Sequence, residues 1–117
     1  MHNYRELKFW SYSKALAVNI YDKTQNFPDS EKFGLTSQLR RAAVSVPSNI
    51  AEGSGRQSNK EFVRFLNIAT GSLYELEAQL EIANEIGFLS NGNFESLNKQ
   101  VSTVIQMMTK FKVKISR

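Results

Sequence analysis

The chain contains no cysteine. That single absence excludes disulfides, thiolate nucleophiles and the usual structural zinc sites, and it is compatible with a reducing compartment. Imidazole is almost as scarce: His2 stands alone, in a terminal segment expected to be mobile. No histidine-based general base or metal cluster can therefore be assembled within one chain. No run approaches the roughly 20 apolar residues of a membrane span, and the stretch from Met1 to Trp10 lacks the apolar core of a secretory signal. The expectation is a cytoplasmic protein that does not enter a membrane. Repeats and low-complexity segments are absent, and no stretch alternates apolar and polar residues long enough to read as a strand.

What remains is 117 residues, 41% hydrophobic and 22% charged, the size and balance of one ordinary domain with a core of its own. Punctuation divides it into four. Pro28 with Asp29 and Ser30 ends one periodic segment and is placed to cap the next; Ser54 to Asn59 breaks the middle; Gly87 to Asn93, containing Asn91-Gly92, breaks the last third. Ser58 followed by Glu61 is a capping-box signature.

Within these breaks apolar residues recur at steps of three and four, the spacing of a buried helical stripe. The last segment shows it in Phe94, Leu97, Val101, Val104, Met108, Phe111 and Ile115, and the third in Phe62, Leu66, Ala69, Leu73, Leu76, Leu80 and Ala83. The second carries Leu35, Leu39, Ala42, Val46 and Ile50, with Pro47 inside it, which predicts a kinked but continuous helix. The first, least regular, places Trp10, Ala17, Ile20, Tyr21 and Thr24 on one side. The predicted helices are about 8–26, 30–53, 59–86 and 93–115, and short connections make them antiparallel neighbours in an all-α, up-down-up-down four-helix bundle. Small residues at Ala42, Ala43, Ser45, Ser48, Ala51 and Gly53, matched by Ala69, Gly71 and Ser72, predict a close approach of the middle two helices. Gly71 in particular implies a packing reason, because a helical glycine costs about 1 kcal/mol relative to alanine.

The formal charge of +4 is unevenly spread. Met1 to Arg64 has ten Lys/Arg and six Asp/Glu; Phe65 to Asn98 has five Glu and no base; Lys99 to Arg117 has five bases and no acid. Arg40, Arg41, Arg56, Lys60 and Arg64 are expected to converge on one end of the bundle, since Lys60 and Arg64 are one helical turn apart, and such a patch suits phosphates. The competing reading pairs Arg40, Arg41 and Arg64 with Glu52, Glu61 or the acidic third helix, within a chain or between subunits.

Other chemistry is poorly supported. Glu75, Glu77, Glu81 and Glu85 lack the Glu-x-x-His spacing of bundle metal sites, and they read as a solvated or subunit-facing surface. Gly53-Ser54-Gly55-Arg56 lacks the preceding strand and lysine of a phosphate loop, and it reads as a helix-helix turn whose glycines supply positive φ. Tyr4, Phe9, Trp10, Tyr12, Tyr21 and Tyr74 fit a core better than a set of base-stacking rings. No enzyme, metal or cofactor is expected.

The stretch Phe33-Gly34-Leu35-Thr36-Ser37-Gln38-Leu39-Arg40-Arg41-Ala42-Ala43-Val44-Ser45-Val46-Pro47-Ser48-Asn49-Ile50-Ala51-Glu52-Gly53, continuing to Arg56, resembles the signature of the four-helix-bundle proteins encoded within intervening sequences of bacterial 23S ribosomal RNA genes. Phe65 to Glu77 is similar to that family's third-helix motif, and Trp10 with Ala15 and Ala17 to its first helix. The resemblance implies a left-handed antiparallel bundle, a ring-like homopentamer and no established enzymatic activity. Related bundles serve as accessory factors of diversity-generating retroelements, where a basic oligomeric barrel partners a reverse transcriptase and binds nucleic acid. On this resemblance Arg40, Arg41 and Arg56 suit polyanion contact, whereas Asn49 and Glu52 suit helix or subunit packing. Thr70 stands where many relatives carry arginine. Two functions follow as expectations: a non-catalytic oligomer that binds RNA or DNA through basic surfaces, or a protein-interaction scaffold in which Arg40, Arg41 and Arg64 lock subunits to Glu75, Glu77 or Glu81.

Overall fold

A computed structural model describes residues 1–116. Four α-helices run in sequence: α1 (Lys8–Lys23), α2 (Leu35–Ser54), α3 (Asn59–Glu85) and α4 (Asn91–Ile115). Each packs on two neighbours in cyclic order, and among the described residues the diagonal pairs make no close backbone approach. The result is the antiparallel up-down-up-down bundle, 44 Å long and 23 by 19 Å across.

The periodic stripes form its axis. Every predicted seam residue of α3 is buried, as are Leu39, Ala42, Val46 and Ile50 of α2 and Leu97, Val101, Val104 and Met108 of α4. The α1 seam is corrected: Phe9, Ser13, Leu16, Ala17 and Ile20 face inward, Trp10 is half-buried and Tyr21 is exposed. The regular spacing was hidden by Ser13, a polar residue that tolerates the core because its hydroxyl donates to the Trp10 carbonyl at 2.8 Å.

Local chemistry moves some helix ends. α1 stops at Lys23, not Asn26, because Thr24 folds back and its hydroxyl donates to the Ile20 carbonyl at 2.7 Å. α2 starts at Leu35 instead of Ser30: Asp29–Glu31 form a separate 3-10 turn, and Gly34 breaks the path with φ −115° and ψ −116°. Asp29 and Ser30 therefore do not cap α2; the Glu31 carboxylate accepts from the Leu35 amide at 3.0 Å instead. α4 begins at Asn91, with the Ser90 hydroxyl accepting from the Asn93 amide. Ser58 caps α3 by accepting from the Glu61 amide at 3.1 Å, but the reciprocal half of the box is not made and Glu61 turns to Arg64.

The two conspicuous helical glycines exchange roles. Gly71 is exposed, and a methyl group there would meet nothing within 4 Å, so the packing reason inferred for it does not hold within the chain. Gly71→Ala should raise the unfolding free energy by about 1 kcal/mol through helix propensity alone, measurable by urea melts. Gly53 is where α2 and α3 close: a methyl there would sit 2.6 Å from Phe65 Cβ and 2.9 Å from Phe62 Cδ1. Ala42 and Ala43 are buried beside this pair of helices, and Ser45 bonds Ser72 across it at 2.9 Å.

Candidate nucleic-acid interface

An even number of antiparallel helices brings the amino end of α1, the α2–α3 turn and the carboxyl end of α4 to one pole. The segment before α1 laces that pole together. The His2 amide donates to the Ser54 carbonyl at 2.8 Å, its ring nitrogen lies 3.0 Å from Asn59 Oδ1, and its ring packs on Phe62 and Phe111. Asn59 in turn donates to the Ile115 carbonyl. The expectation of a mobile terminus is overturned at His2, whose partners come from three helices.

Gathered at this pole are Arg5, Lys8, Arg56, Lys60, Arg64, Lys110, Lys112 and Lys114, with Glu6, Glu52 and Glu61 as the acids among them. Arg56 and Arg64 lie over the same ring, Phe65, at 4.8 and 5.8 Å. Each also holds one surface carboxylate, Arg56 with Glu52 at 3.9 Å and Arg64 with Glu61 at 3.5 Å. Such exposed pairs contribute little and open readily to a competing phosphate. Lys60 borders a crevice with Asn59, Val63 and Ile115. Lys112 has no carboxylate partner among the described residues: its ammonium donates to Asn67 Oδ1 and Thr70 Oγ1, both at 3.2 Å. Partial burial lowers its pKa from 10.5. Because the folded value is the lower one, stability rises as pH climbs through that value toward 10.5. Lys112 also delivers a cation beside Thr70, the position where the resemblance leads one to expect arginine.

The predicted convergence of five cations is half met. Arg56, Lys60 and Arg64 come together, but Arg40 and Arg41 lie some 16 residues earlier on α2, about 24 Å along its axis. Arg40 is tied to the end of α1: it donates to Thr24 Oγ1 at 3.0 Å and the Tyr21 carbonyl at 3.4 Å, and its guanidinium covers the Tyr21 ring. Arg41 is exposed and borders a notch with Ser45, Ser72 and Glu75, without an ion pair to Glu75. Within the chain, Arg64 and Arg56 pair locally, and none of Arg40, Arg41 or Arg64 reaches the acidic half of α3. Asn49 is half-buried and donates to the Ser45 carbonyl and hydroxyl one turn back on α2, while Glu52 is exposed toward Arg56.

Glu75, Glu81 and Glu85 are exposed and Glu77 is half-buried, and among the described residues no three of His, Asp and Glu form a group fit to hold a metal ion. The Gly53–Arg56 stretch is not a positive-φ turn: Gly53 and Ser54 are helical, Gly55 has φ −82°, and Gly87 is the one described residue with positive φ. Phe9 lies in the core; Tyr12, Tyr21 and Tyr74 are exposed. No described helix is long and apolar enough to cross a membrane.

The lysines of α4 were missed as site residues. Their acid-free run is visible in the sequence, but only the bundle topology brings it beside Arg56 and Lys60.

No curated protein matches the chain. A crystal structure at 1.70 Å of a protein of unknown function from the S23 ribosomal protein family of Bacteroides thetaiotaomicron is similar to it, with a TM-score of 0.80 and 25% identity over 89% of this chain and 97% of that one. The family described as 23S rRNA-intervening sequence protein matches residues 5–110. A match over nearly the whole bundle, with the same fold in that crystal structure, places this chain in the 23S rRNA-intervening sequence protein family.

Proposed function

We propose that this protein is a non-catalytic, cytoplasmic nucleic-acid-binding bundle whose contact surface is its basic pole. The observation that carries this reading is the gathering of Arg56, Lys60, Arg64, Lys110, Lys112 and Lys114 from two separate stretches of chain at one end. Lys and Arg at one surface bind phosphates by releasing counterions, with no need for base-specific geometry. RNA is the favoured partner, and a reverse transcriptase of the kind that related bundles serve is a further protein partner consistent with it.

The reading includes self-association, as a homopentamer. Its support is the outward stripe of α3, where Ile68 and Ile82, with Ile86 just past the helix end, are each about half exposed and spaced by Gly71, Glu75 and Ala78. A stripe of this kind is typical of a surface that a second copy covers. Several copies add individually weak phosphate contacts into a useful affinity.

Fluorescence anisotropy with a structured RNA tests the first part. Wild type should bind with an affinity that falls steeply with salt, and Arg56→Ala/Lys60→Ala/Arg64→Ala should weaken binding about 100-fold at low salt while lowering the magnitude of the log–log salt slope by about 2 to 3. Lys99→Ala, in the first half of α4 toward the opposite pole, should leave both unchanged. Light scattering on the same samples should give a mass near five times 13.3 kDa. A triple variant that binds like wild type rejects the basic pole; one that dissociates instead assigns its arginines to subunit interfaces and favours the scaffold reading.

A further inference from the structure

A second polar site lies toward the other pole, where the 29–34 connection meets α1 and α2. A groove of about 530 Å³ opens there, bordered by Tyr21, Lys32, Phe33, Thr36, Arg40 and Arg41, and no carboxylate lines it. Three observations on it are independent. Thr36 is only 7% exposed, yet its hydroxyl has no hydrogen-bond partner among the described residues, which is an uncommon condition for a buried hydroxyl. The start of α2 has no side-chain cap at Gly34; with the Leu35 amide given to Glu31 and the Gln38 amide to the Gly34 carbonyl, the amides of Thr36 and Ser37 have no acceptor among the described residues. Phe33 is 91% exposed, a whole aromatic ring held in water with Lys32 over it at 5.6 Å.

Free first-turn amides, a buried hydroxyl and nearby cations are the elements of a phosphate site. Lys32, Arg40 and Arg41 line the groove, while the carboxylates of its neighbourhood, Asp29, Glu31 and Glu75, lie outside its lining. An exposed ring next to such a site supplies what a lone phosphate does not need, a stacking face for a planar group. We infer that this groove binds a nucleotide, its phosphate at the start of α2 against Thr36 and Arg41 and its base on Phe33. The site is separate from the basic pole and does not depend on the function proposed for that pole. The same unit, base plus phosphate, is offered by a free nucleotide and by a single strand.

Isothermal titration of the full chain with AMP, inorganic phosphate and a hexa-adenylate lacking terminal phosphates tests this. AMP should bind saturably and at least tenfold more tightly than inorganic phosphate. Phe33→Ala should weaken AMP about tenfold without changing phosphate, and Arg41→Ala should weaken both; both side chains are exposed, so folding is preserved and circular dichroism verifies it. Lys60→Ala should change neither. Hexa-adenylate binding that Phe33→Ala and Arg41→Ala weaken and Lys60→Ala does not assigns the groove to a strand, and AMP binding with no such strand component assigns it to a free nucleotide. The inference is overturned if AMP binds no better than phosphate, or if Phe33→Ala and Arg41→Ala leave AMP binding intact.

Discussion

Gly53→Leu should leave the bundle unfolded at room temperature. The α2 backbone passes so close to α3 that even a methyl at Gly53 would stand 2.6 Å from Phe65 Cβ and 2.9 Å from the Phe62 ring, separations that carbon atoms do not tolerate. Phe65 Cβ is anchored to the helix, so it cannot swing away as the tip of a flexible side chain would. The helices must part, and parting them opens the core around Val46, Ile50 and Leu66. Overpacking a core ordinarily costs about 1 to 3 kcal/mol for a few extra methylenes, and an isobutyl group forced between backbones exceeds that range. Since whole domains are stable by only about 5 to 15 kcal/mol, the loss is large. Gly53→Ala is the graded companion: relieving a 2.6 Å contact with the anchored Phe65 Cβ takes the top of that range, about 3 kcal/mol, and helix propensity returns about 1 kcal/mol, so a net loss of about 2 kcal/mol is expected. Urea melts followed by circular dichroism at 222 nm measure both, and a Gly53→Ala chain as stable as wild type contradicts the close approach.

Phe62→Ala should cost about 3 to 5 kcal/mol, the range for deleting a fully buried aromatic side chain. Phe62 is wholly buried, lies against Gly53, and its ring meets His2 at 4.9 Å and Phe111 at 5.7 Å. Its removal therefore does two things at once. It leaves a cavity between α2, α3 and α4, and it takes away the apolar surface on which the first residues rest. Hydrogen exchange distinguishes the two: the His2 amide, bonded to the Ser54 carbonyl in wild type, should lose its protection in a variant whose α3 amides are still protected. The cavity cost is read from the shift in urea midpoint, and a loss under 1 kcal/mol shows that the pole can collapse onto the space.

Residues such as Leu66, Leu73 and Val104 made the architecture legible, because a stripe at steps of three and four has no way to be buried other than against similar stripes. Reading failed where a side chain does something local. Ser13 looks like an interruption until its hydroxyl is seen to bond one turn back, and Thr24 looks like helix although it ends one. Glycine was the harder case. Gly53 and Gly71 are alike in sequence, one sealing a contact and the other facing outward, and nothing but the neighbouring helix tells them apart. The basic pole was half legible for the same reason: Lys60 and Arg64 share a turn, a local relation, whereas the company of Lys112 depends on how α4 returns. Arg40 lies apart from the other expected cations because its partners, Thr24 and the Tyr21 carbonyl, belong to the far end of α1. His2 was discounted for its place in the chain, and no local pattern announces the Asn59 that holds it.

The separation of bases and acids along the 44 Å axis makes the bundle an electric dipole. Glu81, Glu85, Asp29, Glu31 and Glu95 lie toward the end remote from Arg56 and Lys114. In the field of a polyanion such a body turns before it touches, so encounters arrive end-on. Association should therefore slow with ionic strength more than the contact itself weakens.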